Sequence, residues 1–200
     1  MKIKIFLAAL ALSFTTLAFA ADTAPDALVK TTAEEVLTIV KQDKDIQGGN
    51  TRKVVELVEA KVLPHFDFAR MTRLAMGKNW NKASDAQKET LIKEFRTLLV
   101  RTYSVSLAQY RNQTIEYKPL KLAPEDTEAT VKTVVIQPGG QPIPIDYRMT
   151  KTPQGWKVFD ILVDGVSLVT NYRNSFNTTV EQSGVDGLIK QMVEKNQAAK

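Results

Sequence analysis

Few side chains in this 200-residue sequence could do chemistry. There is one histidine, His65, and no cysteine, which excludes thiolate nucleophiles, thiolate metal sites and any site needing several imidazoles. His65 follows Pro64 at the end of a helical stretch, where a lone imidazole more often caps or faces water than acts as a general base. Gly165-Val166-Ser167-Leu168-Val169 has the outline of a nucleophile elbow but lacks the second glycine, and its serine would need a histidine partner. Ser167 reads more simply as an N-terminal helix residue. Asp160 and Asp164 stand four apart, and paired carboxylates could do acid–base work. Asp164 before Gly165 is a plain turn residue, however. Asp160 sits inside an otherwise apolar strand, where a carboxylate needs a basic or hydrogen-bonding partner. The sequence has no glycine-rich phosphate loop, Walker motif or dinucleotide fingerprint. The residues therefore point away from an enzyme and imply neither a metal nor a cofactor.

The first residues predict export. Lys2 and Lys4 form a basic head, Ile5 to Leu12 is unbroken apolar sequence, and Ala18-Phe19-Ala20 supplies the small-x-small end of a secretory signal. Residues 1–20 are expected to be a signal peptide cleaved after Ala20, with Ala21 as the next candidate, and residues 21–200 a single domain. That site offers no cysteine for a lipid anchor, so a freely diffusing mature protein is expected. Stability must come from a packed core, because disulfides are impossible. The formal charge of +5 falls to +3 without Lys2 and Lys4. The charges are scattered and mixed in sign, which gives no nucleic-acid footprint.

Helices come first along the mature chain. Val29, Ala33, Val36, Leu37 and Val40 fall at helical spacing, Gly48-Gly49 breaks the run, and Asn50 caps a second stripe of Val54, Leu57, Val58 and Val62 that Pro64 ends. Ser84-Asp85-Ala86-Gln87 is a capping box opening the longest helix, about residues 85 to 110, roughly 39 Å long at 1.5 Å per residue. Its stripe includes Leu91, Phe95, Leu98, Leu99, Tyr103, Leu107 and Tyr110. The period then becomes two. Strands are predicted at 114–121, 129–136, from Ile143, and at 156–163, joined by short turns into an antiparallel meander. A helix is predicted from Val166 to Glu181, with Gly184 stopping it and a last helix beyond. The class is α+β, a four-stranded curved antiparallel sheet covered by helices.

These faces carry a surplus of apolar surface. They can pack on one another as an ordinary core, the commoner outcome for aliphatic stripes, or enclose an elongated apolar ligand between sheet and long helix.

The run from Trp156 to Arg173, WKVFDILVDGVSLVTNYR, followed by Phe176, closely resembles the signature of the MlaC, or toluene-tolerance, family. Val62-Leu63-Pro64-His65-Phe66, the 84–110 helix and Gly184-Val185-Asp186-Gly187-Leu188-Ile189 are similar to other segments of that family. The resemblance implies a periplasmic phospholipid shuttle of Gram-negative bacteria. Its partners would be an outer-membrane lipoprotein complex and an inner-membrane ABC transporter complex with a ring-shaped substrate-binding protein. The implied fold is similar to nuclear-transport-factor-like folds, with acyl chains in an apolar pocket between sheet and helices and the head group near water. Hiding one acyl chain of about 14 methylenes protects on the order of 11 kcal/mol of transfer free energy, so the walls must be free of charge.

On that reading the expected lining is Phe95, Leu99, Tyr103, Leu107, Val134, Ile143, Ile145, Tyr147, Val158, Val166 and Val169. Tyr103 and Tyr147 would offer hydroxyls at the mouth, and Val158 trades places with Phe159 or Ile161 if the strand shifts by one residue. Asp164 to Ser167 would shape one rim. Arg70, Arg73, Lys78 and Lys82 could face an anionic head group or an acidic docking partner, or simply be solvated charges. Two other readings compete: a periplasmic chaperone or adaptor binding apolar protein segments, favoured by an open groove, and a lipid hydrolase, which would need Asp160 or His65 on the cavity wall.

Overall fold

A computed structural model describes residues 23–110 and 112–198, with the side chains of Val105 and Ala108 outside that description. The expected signal peptide lies outside the described residues. The helices are α1 (Pro25–Gln42), α2 (Lys44–Gln47), α3 (Thr51–Lys61), α4 (Phe68–Met76), α5 (Asp85–Ala108) and α6 (Leu168–Ala198). The strands are β1 (Thr114–Tyr117), β2 (Glu128–Ile136), β3 (Ile143–Thr152), β4 (Gly155–Val163) and β5 (Val166–Ser167). No helix among the described residues is long and apolar enough to cross a membrane.

Local chemistry explains most boundaries. The Asn50 side chain accepts from the Lys53 amide at the start of α3. Ser84 and Gln87 bond reciprocally across the first turn of α5, a complete capping box. Gly184, at φ 71°, is a non-helical residue inside α6 and divides it into two arms.

The sheet runs β1-β2-β3-β4-β5, antiparallel throughout. It therefore has five strands, not the expected four. Asp164 and Gly165 both take positive φ, 51° and 76°, the geometry of a tight turn matched to strand twist. The chain reverses there, so Val166 pairs with Val163 and Ser167 with Leu162 before α6 begins. The helix expected from Val166 starts two residues later.

A second departure is a β-bulge. Arg148 pairs with Asp160 but its neighbour Met149 pairs with Val158, leaving Phe159 as the extra residue. The strand's period of two is broken once. Val158 and Ile161, three apart, can then share one face while Phe159 turns into a separate cluster.

That cluster is the main core. Phe159 packs with Met71, Leu91, Phe95, Leu98, Val169, Phe176 and Leu188 from α4, α5 and α6. The Phe95 ring meets Tyr172 and Phe176 edge-on at 5.0 and 5.2 Å. A second cluster joins α1 to the sheet through Val29, Val131, Met149, Trp156 and Val158, and a third ties α1 to α2 and α3.

Candidate ligand cavity

Between these clusters the sheet and helices do not close on each other. A first lobe of about 280 Å³ lies between α1 and the sheet, lined by Leu28, Val29, Thr32, Ala33, Val36 and Leu37 of α1 and by Ile115, Val135, Tyr147, Met149 and Val158 across from them. A second lobe, about 300 Å³, lies between α3, α5 and the sheet, with Val58, Leu99, Val100, Tyr103, Ser104 and Val163 on its wall. Val62, Phe66, Leu107, Ile145, Tyr147 and Ile161 belong to both lobes and form their common boundary. Together the lobes fall within the range of small-molecule sites. Among the described residues no Asp, Glu, Lys or Arg lines either lobe.

The floor is held by backbone. Phe66 forms an isolated parallel bridge with Val158, the Asp67 amide donates to the Val158 carbonyl at 2.9 Å, and the Lys157 ammonium donates to the Pro64 carbonyl at 2.6 Å. The Leu-Pro-His-Phe turn after α3 is thereby pinned against β4, with Phe66 facing the void.

Six of the eleven expected lining residues stand on the cavity wall: Leu99, Tyr103, Leu107, Ile145, Tyr147 and Val158. The other five do not. Phe95 and Val169 are in the main core: Phe95 because the stripe of α5 serves core with its first half and cavity with its second, and Val169 because the start of α6 is tied to Asp160 of β4 through the Val169 amide. Val134 pairs with Pro144 on the face of β2 opposite Val135, a one-residue register difference. Ile143, at the start of β3, lies outside both lobes. Val166 is 60 % exposed on β5. It shares a sheet face with its partner Val163, which lines the second lobe, so it sits at that lobe's rim. The register alternative resolves as both Val158 and Ile161, with Phe159 excluded by the bulge.

The α1 wall, Val62, His65 and Phe66 were absent from the expected lining. The stripe of α1 and the Leu-Pro-His-Phe segment are visible in the sequence, but nothing in their spacing distinguishes a wall from a core.

The polar groups divide sharply. Tyr147 is half-buried and lines both lobes, and burial raises the pKa of its hydroxyl. Nearby Tyr117 has a buried hydroxyl without a partner, pushed up to about 12 mainly by desolvation. Tyr103, 39 % exposed, is also raised by burial. All three hydroxyls stay neutral at ordinary pH.

The candidates for acid–base chemistry are dispersed. Asp160, 1 % exposed, accepts from the Ser167 hydroxyl at 2.7 Å and the Val169 amide at 3.2 Å, with the Arg148 guanidinium at 3.5 Å. Ser167 Oγ in turn accepts from the Thr170 amide at 3.0 Å, the N-cap bond of α6. The Asp160–Ser167 pair thus fastens α6 to β4 outside both lobes. Asp164 is the turn residue of the fifth-strand hairpin. Of the basic residues, Arg70 pairs with Glu128 and lies 3.7 Å above the Phe159 ring, Lys78 pairs with Glu181, and Arg73 and Lys82 are exposed away from both lobes. Among the described residues no His, Asp or Glu cluster could hold a metal.

His65 is the exception, since it lines the first lobe. Burial, then the Lys157 ammonium, lowers its pKa, with Glu35 opposing. The folded protein thus holds this proton less tightly than the unfolded chain. Stability should fall as pH drops through about 6.5, the ordinary histidine value, because the unfolded state takes up the proton first. Melting temperatures from pH ~7.5 to ~5 should fall more steeply for the wild type than for His65→Gln. Parallel profiles would show that His65 is not the group responsible.

Comparison with known proteins gives a consistent result. The family model described as MlaC protein matches residues 30–194. The intermembrane phospholipid transport system binding protein MlaC of Haemophilus influenzae is 23% identical over 175 residues, 86% of this chain and 82% of that protein. A toluene tolerance protein of Pseudomonas putida is 26% identical over 194 residues, 94% of this chain and 89% of that one. Among solved structures, a phospholipid-binding protein from Ralstonia solanacearum in complex with a phospholipid superposes with a TM-score of 0.81 at 41% identity, covering 90% of this chain and 99% of that one.

Proposed function

Because the chain belongs to the MlaC family, we propose that it is a periplasmic phospholipid carrier holding acyl chains in the two-lobed cavity. The observation that carries this reading is the wall itself: two adjacent lobes between sheet and helices with no Asp, Glu, Lys or Arg among the described lining. Each buried methylene is worth about 0.8 kcal/mol, so a charge-free wall of this kind favours hydrocarbon over water. The layered arrangement supports the nuclear-transport-factor-like comparison, and the cavity takes the place of the missing middle of the core.

The family and its relatives' names support a role in moving phospholipid between membranes. On this reading residues 1–20 direct export, residues 21–200 form one lipid-binding domain, and the protein works without catalysis or cofactor. It would exchange cargo with an inner-membrane ABC transporter complex, through that complex's ring-shaped substrate-binding protein, and with an outer-membrane lipoprotein complex, maintaining outer-membrane lipid asymmetry. A chaperone for apolar protein segments is less well supported, because the similar Ralstonia solanacearum protein is in complex with a phospholipid.

Native mass spectrometry of the mature protein isolated from bacterial periplasm, with lipid extraction of the same sample, tests the proposal. Phospholipid should co-purify at close to one molecule per protein. A protein that emerges empty and takes up no lipid from vesicles would overturn it.

A further inference from the structure

Among the described residues lining the two lobes, His65 is the one side chain that changes its charge between pH 5 and 8. It stands on the wall of the first lobe and is half-buried. The turn that carries it is held on both sides. The His65 amide donates to the Val62 carbonyl at 3.0 Å and the Phe66 amide to the Leu63 carbonyl at 3.1 Å. The Lys157 ammonium grips the Pro64 carbonyl at 2.6 Å, and Phe66 is bridged to Val158. The backbone of His65 therefore stays at the lobe wall in either charge state.

The anions near it are already engaged. From α1, Glu35 acts on His65, but the Lys61 ammonium of α3 holds its carboxylate at 2.6 Å. Asp67, two residues on, accepts from the Arg70 amide at 2.8 Å as the N-cap of α4. From β4, Lys157 adds a second positive charge beside the imidazole. β3 and α5 contribute only the neutral Tyr147 and Tyr110 among polar groups on this lobe's wall. An imidazolium here would face an apolar lobe on one side and a lysine on the other, the same imbalance that lowers its pKa in the empty protein.

In the lipid-free protein, water in the void can solvate that charge. Hydrocarbon in the first lobe removes the water, and a desolvated charge without a free counter-ion is costly. Cargo and proton therefore compete. We propose that His65 is a proton switch on cargo affinity: neutral, it completes an apolar wall, and protonated, it drives hydrocarbon out of the first lobe. The proposal rests on the carrier reading and adds to it a condition for release. The coupling is reciprocal, so whatever factor the proton takes from lipid affinity, lipid takes from proton affinity. One proton can weaken binding by at most about tenfold per pH unit.

The chain has a single histidine, so in mature protein purified without a histidine tag the imidazole NMR signals belong to His65 alone. They are titrated in lipid-free protein and in protein loaded from dioleoylphosphatidylcholine vesicles, whose head group keeps its charge throughout this pH range. His65 should hold its proton about threefold or more less tightly in the loaded protein. Uptake from the same vesicles, read as lipid per protein after separation, should fall by about threefold or more from pH ~7.5 to ~5 in the wild type. The corresponding ratio for His65→Gln should be close to one, whatever the absolute affinity of that variant. Circular dichroism restricts the uptake comparison to conditions in which both proteins are folded, and the wild-type NMR titration decides the matter if His65→Gln fails to fold. Identical titration of His65 in empty and loaded protein, or a fall in uptake that persists in His65→Gln, overturns the switch alone. Uptake at neither pH overturns the carrier reading beneath it.

Discussion

Leu107→Glu should empty the carrier without unfolding it. Leu107 lies on the wall common to both lobes and is half-buried, so in the lipid-free protein a glutamate there can meet water in the void. Once acyl chains fill the lobes the same carboxylate must be desolvated, which costs several kcal/mol. At 1.4 kcal/mol per factor of ten, lipid occupancy should fall about 100-fold or more. The melting temperature of the lipid-free protein should move by only a few degrees. The same substitution at Leu98, nine residues earlier on α5 and part of the closed main core, has no void to hydrate it and should prevent folding. Leu107→Glu protein that still co-purifies with phospholipid at the wild-type level would remove this cavity from consideration as the cargo site.

The second large effect is on stability. Asp160→Ala takes away the acceptor of the Ser167 hydroxyl and of the Val169 amide, both at the start of α6. Hydrogen bonds to a buried carboxylate are worth more than neutral ones, and their loss should destabilise the protein by roughly 3 kcal/mol. For a protein of this size that is a fall of about 6–12 °C in melting temperature. Arg148 stands 3.5 Å away with a half-exposed side chain, so Arg148→Met should cost about 1 kcal/mol or less. Thermal melts of the two variants side by side settle the order. An Asp160→Ala protein as stable as the wild type would mean that α6 is held by its apolar face alone.

These residues also show what the sequence makes legible. The caps at Asn50 and Ser84 are short-range chemistry, with donor and acceptor three residues apart, and they appear where the residue types place them. The break at Gly184 is equally local. The need of Asp160 for partners was visible from its apolar neighbours, and Arg148 and Ser167 supply them.

The bulge at Phe159 was not legible, since one extra residue in a run already apolar on both faces leaves no mark in the alternation. The fifth strand was missed for a related reason. Asp164-Gly165 signals a turn, but whether the chain leaves it as strand or helix depends on pairing with Val163 and Leu162, a tertiary matter. The lining divides along the same line. Periodicity identifies the side of α1 that carries Val29, Ala33 and Val36, but it is silent on whether that side meets atoms or empty space.

The common boundary between the lobes has a consequence for loading. Six side chains face both spaces. On the proposed carrier reading, an acyl chain in one lobe would order Leu107, Tyr147 and Ile161, and a second chain would then meet a space already ordered on that side. Ordering met once is not met again, so two tails would load with positive cooperativity even without any shift of the backbone. Half-filled molecules would be correspondingly scarce, and a diacyl cargo would leave as it arrived, in one step.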